Sequence, residues 1–476
     1  MSTQNFEKPE IKKKEKGELN AYVIIFVLIF IAAVATWIIP AGQYDRVFDE
    51  TTGRAIVSGG SFHKVDNKPV GFWGFWMNIH KGLIDGSVII MYIIIVGGTF
   101  GLLAKTGALD ILIAKAVSKF QGKRYERWSF VFIYSMLYIC GITFGLSEQG
   151  IVFVPFIAMM AISMGYDAIV GVATVVFATT AGYAGSLTGP FNVIVAQQIA
   201  QLPLYSGLWY RIICAIVIFI ISSWYLLRYA TKVKKNPSKS YVAGLDFSNL
   251  RLTEDPHKAK MTGMHKRVLF VFGASMIFMI YAMLKLNFTM NELTTFFLLV
   301  GVLIGFAAGM RPGKIADEFV EGAKSLLFPA LLVGFARAIQ TTMESGLILD
   351  SIINGLVMPL SYIPNFFIPS MMVLVQSLIN MFIPSASAMA VVTMPIMTPL
   401  ADLLNIQRQT ATLAYQFGDG ITNLIMPSYT VLIGSLGLAK VPFEKWIKFA
   451  LPICGFLMVA VIILAVVAEQ IKVGPF

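Results

Sequence analysis

Apolar segments of about 20 residues recur along the whole chain, and they restrict its fold more than any other feature. Clear examples are residues 21–40, 86–104, 210–227, 268–284, 293–309 and 446–468. A helix of about 20 apolar residues spans the roughly 30 Å hydrocarbon layer of a bilayer. The 476-residue chain is 57% hydrophobic and only 13% charged, which is too little charge to cover a soluble protein of this size. The sequence therefore predicts an all-α integral membrane protein with many crossings.

The N-terminal region predicts a cytoplasmic tail and a plasma-membrane location. Residues 1–19 are basic and precede a full apolar span that lacks a small-residue cleavage site, so no cleavable signal is expected. The net charge of +11 lies mostly in three segments, and we interpret it as a topology signal rather than as nucleic-acid binding. All three cysteines fall in apolar segments, which predicts neither disulfides nor a metal cluster.

An internal repeat divides the chain into two similar halves. Four pairs of matching residues lie 240 positions apart: Gly82 and Gly322, Asp110 and Asp350, Ser147 and Ser387, and Pro155 and Pro395. In addition, Pro190 and Pro427 are each followed 19 residues later by a tryptophan. Because the matches occur in the same order, the sequence predicts a duplicated unit, residues 20–228 and 292–468.

Loop charges indicate that the two copies have opposite orientations in the membrane. Residues 105–127 carry six Lys or Arg, whereas the equivalent residues 345–367 carry none. Conversely, residues 203–210 have no Lys or Arg, while residues 440–448 have three lysines. Because basic loops remain cytoplasmic, equivalent loops are expected on opposite faces. The sequence therefore predicts an inverted repeat whose N-terminus is cytoplasmic.

Each copy is predicted to hold two spans, a re-entrant hairpin, a broken helix and a closing span. The spans are 20–40, 84–105 and 209–228, then 293–310, 326–344 and 446–468; the hairpins are 128–165 and 367–403, and the broken helices are 168–201 and 406–440. Residues 229–267 form a cytoplasmic linker and 268–291 the connecting transmembrane helix, which leaves 469–476 as an external tail. This scheme has nine crossings, although two ordinary kinked spans remain an alternative for the first hairpin. The short amphipathic segments 107–120 and 347–360 are expected along the interface.

Four polar breaks interrupt the apolar segments, at residues 145–150, 182–190, 384–388 and 418–427. Non-helical backbone at membrane depth is tolerated only where it is buried in protein or lines a cavity. Half-helix N-termini offer free N–H groups and C-terminal ends offer carbonyls, so such breaks can bind an anionic group and a cation. The candidate neutral ligands are Ser147, Gln149, Ser186, Thr188, Asn192, Ser385, Ser387, Asn423 and Ser428. We therefore predict one solute and ion site near the bilayer midplane.

The breaks also carry a family resemblance. The segments GLSEQG, GSLTGPFN, IPSASA and DGITNLIMPS together resemble the C4-dicarboxylate anaerobic carrier-like family of the ion transporter superfamily, which includes arginine/ornithine-type exchangers. The resemblance covers nearly the whole chain and implies secondary transport by an elevator-like or rocking movement, with hairpins lining the solute site. It leaves the solute open, because the family name refers to dicarboxylates while several relatives carry amino acids. Related folds are often dimers, so a homodimer is expected by analogy alone.

Three ionisable side chains are predicted near membrane depth: Glu148, Asp419 and Arg337. Charges at such depth mark solute or ion pathways, because an unpaired charge in the bilayer is costly. Alternatively, Arg337 forms a salt bridge with one of the acids or reaches the outer interface, and Glu148 caps the start of a half-helix. Two acids and one base favour a basic or zwitterionic amino acid over a dianion. We expect an exchanger of basic amino acids, with a C4-dicarboxylate carrier as the alternative.

Other functional classes have little support in the sequence. It contains neither a phosphate-binding GxxxxGK[ST] motif nor an HExxH motif, and its four histidines do not cluster. No cofactor is predicted, and no metal other than a transient sodium ion. Energy would then come from a proton or sodium gradient or from a counter-solute. An ion channel, recognised by a steady non-saturating current, and a membrane enzyme, recognised by product formation, are the competing classes.

Overall fold

The computed structural model is almost entirely helical. It describes residues 21–49, 54–58, 60–120, 122–123, 126–247, 250, 261–286 and 288–475, so the predicted tail 1–19 and part of the linker lie outside the described residues. The helices are α1 (Ala21–Ile38), α2 (Phe72–Asp85), α3 (Ser87–Lys105), α4 (Ala108–Phe120), α5 (Trp128–Phe144), α6 (Val154–Ser163), α7 (Ala168–Ala184), α8 (Val193–Ile199), α9 (Leu208–Lys235), α10 (Gly263–Lys285), α11 (Met290–Ala307), α12 (Pro312–Ser325), α13 (Leu327–Ser345), α14 (Leu349–Val357), α15 (Ile368–Asn380), α16 (Ala386–Leu403), α17 (Arg408–Thr422), α18 (Thr430–Leu438) and α19 (Phe443–Gln470).

The helices are consistent in length and composition with a multi-pass membrane protein. Within the described ranges, five helices (α3, α9, α11, α16 and α19) are long and apolar enough to cross a bilayer. The bent pair of α12 and α13 brings the number to six, and further apolar helices, such as α5 and α7, are shorter. The count of nine crossings, the re-entrant nature of the hairpins and the orientation of the termini stay predictions.

The helix bounds repeat at the offset seen in the sequence. Helices α2, α3, α5 and α7 start at residues 72, 87, 128 and 168, and α12, α13, α15 and α17 start at 312, 327, 368 and 408. Each start in the second set lies 240 residues after its counterpart, and α9 and α19 are both 28 residues long. Non-helical segments at 145–147, 185–192, 381–385 and 423–429 separate consecutive helices, and each overlaps one of the breaks proposed from the sequence.

Some elements differ from the sequence-based scheme. No regular element is expected between residues 41 and 71, yet β2 (Arg46–Asp49) pairs with β3 (Arg54–Val57), and β1 (Gly42–Gln43) pairs with β4 (His63–Lys64). Helix α9 continues seven residues past the predicted end of its span, because three lysines in its last turn interact favourably with the helix dipole. Helix α10 starts before the predicted span because a capping box between Thr262 and His265 fixes its N-terminus.

One group of helices, which we call the scaffold, consists of α1–α3 and α11–α13. Helix α2 packs on α13, and the equivalent α12 packs on α3. Both contacts depend on glycine: a Cβ on Gly82 would lie 2.6 Å from the Ala338 nitrogen, and one on Gly101 would lie 2.4 Å from the Gly322 Cα. Close backbone approach of this kind provides van der Waals packing where lipid supplies no hydrophobic driving force. The two halves of the scaffold therefore pack against each other through equivalent helix pairs.

A second group, the broken-helix unit, consists of α5–α9 and α15–α19. Helices α7 and α17 cross at their C-terminal ends, where a Cβ on Gly420 would lie 2.3 Å from the Ala184 nitrogen. The start of α7 is bound to α9, since Tyr229 donates to the Asp167 carboxylate at 2.6 Å. Glu469 of α19 accepts from the backbone N–H at the start of α17 at 3.0 Å. These contacts join each broken helix to the closing helix of its own copy.

The predicted inversion can be tested by cysteine labelling of two exposed positions, Lys119 on α4 and Gly355 on α14. In a background without the three free cysteines, Lys119→Cys should react with a membrane-impermeant maleimide only from the cytoplasm. Gly355→Cys, where a Cβ meets no atom within 4 Å, should react only from outside. This difference is expected because the basic loop that follows α4 stays cytoplasmic, whereas the equivalent loop after α14 has no basic residue. Labelling of both positions from one side would contradict an inverted repeat.

Candidate transport site

A cavity of about 440 Å³ lies between the scaffold and the broken-helix unit, a volume typical of small-molecule sites. Nine of the twelve candidate residues line it: Ser147, Glu148, Gln149, Arg337, Ser385, Ser387, Asp419, Asn423 and Ser428. The lining also includes Asp85 and Val333 from the scaffold and Tyr183, Phe191 and Tyr429 from the broken-helix unit. The structure thus brings most of the predicted groups to one place, although they come from both halves of the chain.

The first break, after α5, presents Ser147, Glu148 and Gln149 to the cavity. Gly145 ends α5 in a left-handed conformation with φ of 71°, which glycine adopts without steric cost. The Gln149 side chain then accepts from the Ser147 backbone N–H at 3.2 Å. The Ser147 hydroxyl lies 2.9 Å from the hydroxyl of Tyr429, which precedes α18. The first and fourth breaks are therefore in direct contact.

The second break, between α7 and α8, uses its polar side chains differently. Ser186, Thr188 and Asn192 are not part of the cavity lining. Thr188 donates to the Thr143 carbonyl at 2.8 Å, Asn192 donates to the Tyr183 carbonyl at 3.1 Å, and Ser186 accepts from the Gly189 N–H at 3.0 Å. The side chains of these three candidate ligands therefore form hydrogen bonds with backbone groups around the break and do not face the cavity.

The third and fourth breaks offer groups of opposite polarity. Helix α16 begins after Ser385, and its first turn, including Ser387, lines the cavity. Its first N–H groups lack intrahelical partners and can bind an anionic group. At the end of α17, the Asn380 amide donates to the Asp419 carbonyl, the Thr422 hydroxyl and the Asn423 side chain, at 2.8–3.1 Å. This contact fixes the position of Asp419 and Asn423.

The charges of the cavity are mostly negative. Asp419 is fully buried; the Asn423 side chain, one turn further along the chain, interacts with its carboxylate, but neither oxygen has a hydrogen bond of good geometry among the described residues. Glu148 is half-buried, and the exposed Asp85 faces the same cavity from the scaffold. Three carboxylates and one guanidinium therefore line the cavity, a formal charge of −2.

Arg337 is not paired with either predicted acid. Its guanidinium donates to the Gln340 side chain at 2.7 Å. The ion pairs found in the described part of the chain include none between Arg337 and Glu148 or Asp419. The salt-bridge alternative considered from the sequence is therefore not the arrangement found. Arg337 is left as the cationic side chain of the cavity lining.

Sequence reasoning missed two charged residues. Asp85 lies within the predicted span 84–105, and the fully buried Arg211 lies within the predicted span 209–228. Both carry the signal of an intramembrane charge, which is a functional candidate by default. Tyr183 and Tyr429 give no comparable signal, because aromatic residues are common in any apolar helix. Within the described residues, no group of three or more His, Cys, Asp or Glu is arranged to hold a metal ion.

Comparison with known proteins identifies the family. A family model described as "C4-dicarboxylate anaerobic carrier" matches residues 20–470. The chain belongs to this family. It is 31% identical to the Escherichia coli K12 protein named "Putative basic amino acid antiporter YfcC", over 92% of this chain and 94% of that protein. It is 27% identical to an "Uncharacterized protein" of Haemophilus influenzae, over 96% of this chain and 98% of that protein. The resemblance seen in the breaks is thereby confirmed.

Solved structures resemble the chain more distantly. The YdaH transporter of Alcanivorax borkumensis has a TM-score of 0.43 at 16% identity, over 96% of this chain and all of that chain. MtrF of Neisseria gonorrhoeae, described as illuminating a class of antimetabolite efflux pumps, has a TM-score of 0.42 at 18% identity, over 97% and 98% of the two chains. Likeness at this level establishes neither a shared activity nor a shared solute.

The different roles of the two polar sets can be tested with one matched pair of variants. Ser387→Cys, on the cavity side of α16, should react with a water-soluble methanethiosulfonate reagent. Ser186→Cys, which is fully buried at the second break, should stay unreactive until the protein is denatured in detergent. Serine-to-cysteine replacement is nearly isosteric, so neither change should disturb the fold. Equal reactivity of the two cysteines in the native protein would contradict this assignment.

Proposed function

We propose that this protein is a secondary transporter that exchanges basic amino acids, of the arginine and ornithine type, across the cytoplasmic membrane. Family membership supports carriage of a small solute. The observation that carries the choice of solute is the formal charge of −2 in the cavity, from Asp85, Glu148, Asp419 and Arg337. A C4-dicarboxylate would add two further negative charges, whereas a basic amino acid adds a net positive one. The name of the Escherichia coli relative refers to the same class of solute.

The cavity suggests how such a solute would bind. Its carboxylate would bind Arg337 or the first N–H groups of α16, since helix N-termini favour anions. Its cationic groups would face the buried Asp419 and the half-buried Glu148. A buried carboxylate without a counter-charge or a well-formed hydrogen bond is unfavourable, and a bound ammonium or guanidinium would supply the missing opposite charge. Ser147, Ser387 and Asn423 would complete the hydrogen bonds of the solute.

Alternating access would follow from the position of the cavity. It lies between the scaffold and the broken-helix unit, so relative movement of these two groups would open it first to one side and then to the other. In this proposal the segments 128–165 and 367–403 are re-entrant hairpins of an inverted repeat. Exchange for a counter-solute supplies the energy, and a proton or sodium ion is the alternative. A homodimer stays a prediction.

A C4-dicarboxylate carrier is the second candidate. The description of the family favours it, and Arg337, which has no carboxylate partner among the described residues, is the group that a dianion would need. The three acids of the cavity oppose it, because like charges brought together in a low-dielectric site repel strongly. Only the solute specificity separates the two candidates, since both are secondary transport.

Counterflow in proteoliposomes tests the proposed function. Vesicles preloaded with unlabelled arginine, ornithine, succinate or fumarate would be diluted into labelled solute, with and without sodium. We expect saturable uptake of intact labelled arginine or ornithine only into vesicles that contain a basic amino acid. Uptake driven only by dicarboxylates would exclude the choice of solute. A non-saturating current, or conversion of the solute into product, would exclude transport of this kind.

Neutralising the acids tests the basis of the solute choice. Glu148→Gln and Asp419→Asn keep the size and remove the charge, so the affinity for arginine should fall about tenfold or more, as expected when an opposite charge is lost from a buried site. Glu321→Gln, on the exposed face of α12 beside Lys324, is the control and should leave the affinity unchanged. If the acids instead carry a coupling proton, the variants should lose gradient-driven accumulation but keep exchange. Unchanged or improved binding would exclude a role in cation recognition.

A further inference from the structure

Arg211, the fourth residue of α9, is a charged side chain that the proposed site does not use. It is fully buried, and the described part of the chain forms no ion pair with it. Removing a guanidinium from water without a counter-charge is strongly unfavourable unless its N–H groups are well satisfied. The role of Arg211 in the structure therefore follows from the neutral groups that accept its hydrogen bonds.

Two glutamines of α17 accept hydrogen bonds from Arg211. Its Nη1 donates to the side-chain oxygen of Gln416. The Gln409 amide satisfies both its oxygen and its nitrogen in one orientation. In that orientation its oxygen accepts from Nη2 of Arg211 at 2.8 Å and from Nε of Arg211 at 3.3 Å, and its nitrogen donates to the Ser206 hydroxyl at 2.9 Å. One guanidinium of α9 thus binds two residues of α17 that lie two helical turns apart.

Gln416 passes this contact on to the end of α7. Its amide nitrogen donates to the carbonyl of Ala184 at 2.7 Å and to the carbonyl of Ser186 at 3.0 Å. The first of these carbonyls is at the C-terminal end of α7, the negative end of its helix dipole, and the second lies just beyond it in the second break, so both are favourable partners for a donor near a positive charge. The chain of contacts therefore runs from Arg211 through Gln416 to the second break.

The same contacts lie directly behind the cavity. Ala184 is the residue that Gly420 of α17 approaches most closely, and its neighbour Tyr183 lines the cavity. Asp419 lies between Gln416 and Gly420 in the sequence and also lines the cavity. Any shift of Gln416 relative to the end of α7 would therefore move groups that face the solute.

We propose that Arg211 is a positioning residue that acts through Gln416 to fix the end of α7 against α17, and thereby sets the placement of Tyr183 and Asp419 in the cavity. Arg211 itself is not among the residues that line the cavity. The structural part of this proposal does not depend on the solute. Its effect on arginine transport rests on the proposed function.

Four substitutions separate the steps of this chain of contacts. Arg211→Met removes the guanidinium and keeps much of its length, and Arg211→Lys keeps the charge without the planar fork. Gln416→Glu keeps an acceptor for Arg211 but, when ionised, cannot donate to the two carbonyls, whereas Gln416→Met removes both contacts. Arg228→Met is the matched control, because Arg228 lies on the same helix, is exposed and stacks 5.2 Å from the Trp224 ring.

The first measurement does not involve transport. Phe191→Cys, at the second break and facing the cavity, reports the position of that break through its rate of reaction with a water-soluble methanethiosulfonate reagent. We expect Arg211→Met, Gln416→Glu and Gln416→Met each to change this rate by about threefold or more, and Arg228→Met to leave it unchanged. The double variant of Arg211→Met and Gln416→Met should differ little from either single one, because the two residues act in series.

The second measurement is arginine counterflow. We expect Arg211→Met and Gln416→Glu to raise KM about tenfold, a change in solute binding, and Arg228→Met to leave KM as in the wild type. If Arg211→Met keeps the wild-type labelling rate and KM, the proposal is wrong. A lower KM in Gln416→Glu would also contradict it, because Arg211 would then need only an opposite charge at position 416 and not the contact with α7. If Arg211→Met does not fold, Arg211→Lys and Gln416→Glu give the decisive comparison. If the wild type carries no basic amino acid, the proposed function fails and the labelling rates alone decide the role of Arg211.

Discussion

Internal satisfaction of backbone polar groups is the constraint on which the rest of this structure depends. A broken helix exposes carbonyls at one end of the break and N–H groups at the other. Lipid offers hydrogen-bond partners to neither of these groups. Here side chains satisfy most of the carbonyl ends: Thr188 bonds the end of α5, Gln416 bonds the end of α7 and Asn380 bonds the end of α17. The N-terminal turn of α16 faces the cavity instead. Side chains thus satisfy the carbonyl ends, which would be costly to leave without a partner, while the N–H groups at the start of α16 stay accessible to an anionic group of the solute.

Glycine at helix crossings makes this arrangement possible. The breaks after α7 and α17 approach each other because Gly420 allows the backbone of α17 to reach Ala184. In the scaffold, Gly82 and Gly322 allow the equivalent helices of the two halves to pack on each other. In both regions the contact joins one copy of the repeat to the other. The cavity therefore has walls from both halves of the chain, and neither half would form it alone.

Charge is distributed unevenly around the cavity. Its lining carries three carboxylates and one guanidinium, while a further guanidinium, that of Arg211, is buried and held by neutral amides. A lining of this kind suits a solute with more positive than negative groups, which is the basis of the proposed exchange of basic amino acids. The family name by itself favours a dicarboxylate, so the side chains of the cavity carry more information about the solute than membership does.

The membrane class, the family and the internal offset of 240 residues could be predicted from the sequence, because apolar length and repeated breaks are properties of the chain alone. It also pointed to nine residues that line the cavity: eight of them, including Ser147 and Ser387, stand at or next to the breaks, and Arg337 is an intramembrane charge. It did not separate these from Ser186, Thr188 and Asn192, because a polar side chain at a break can bond either to a solute or to the backbone. The choice between these uses depends on the fold, which brings the Thr143 and Tyr183 carbonyls within hydrogen-bond reach of Thr188 and Asn192. The same reason applies to Arg211, whose partners lie about 200 residues away in the sequence and come within hydrogen-bond reach only in the folded chain.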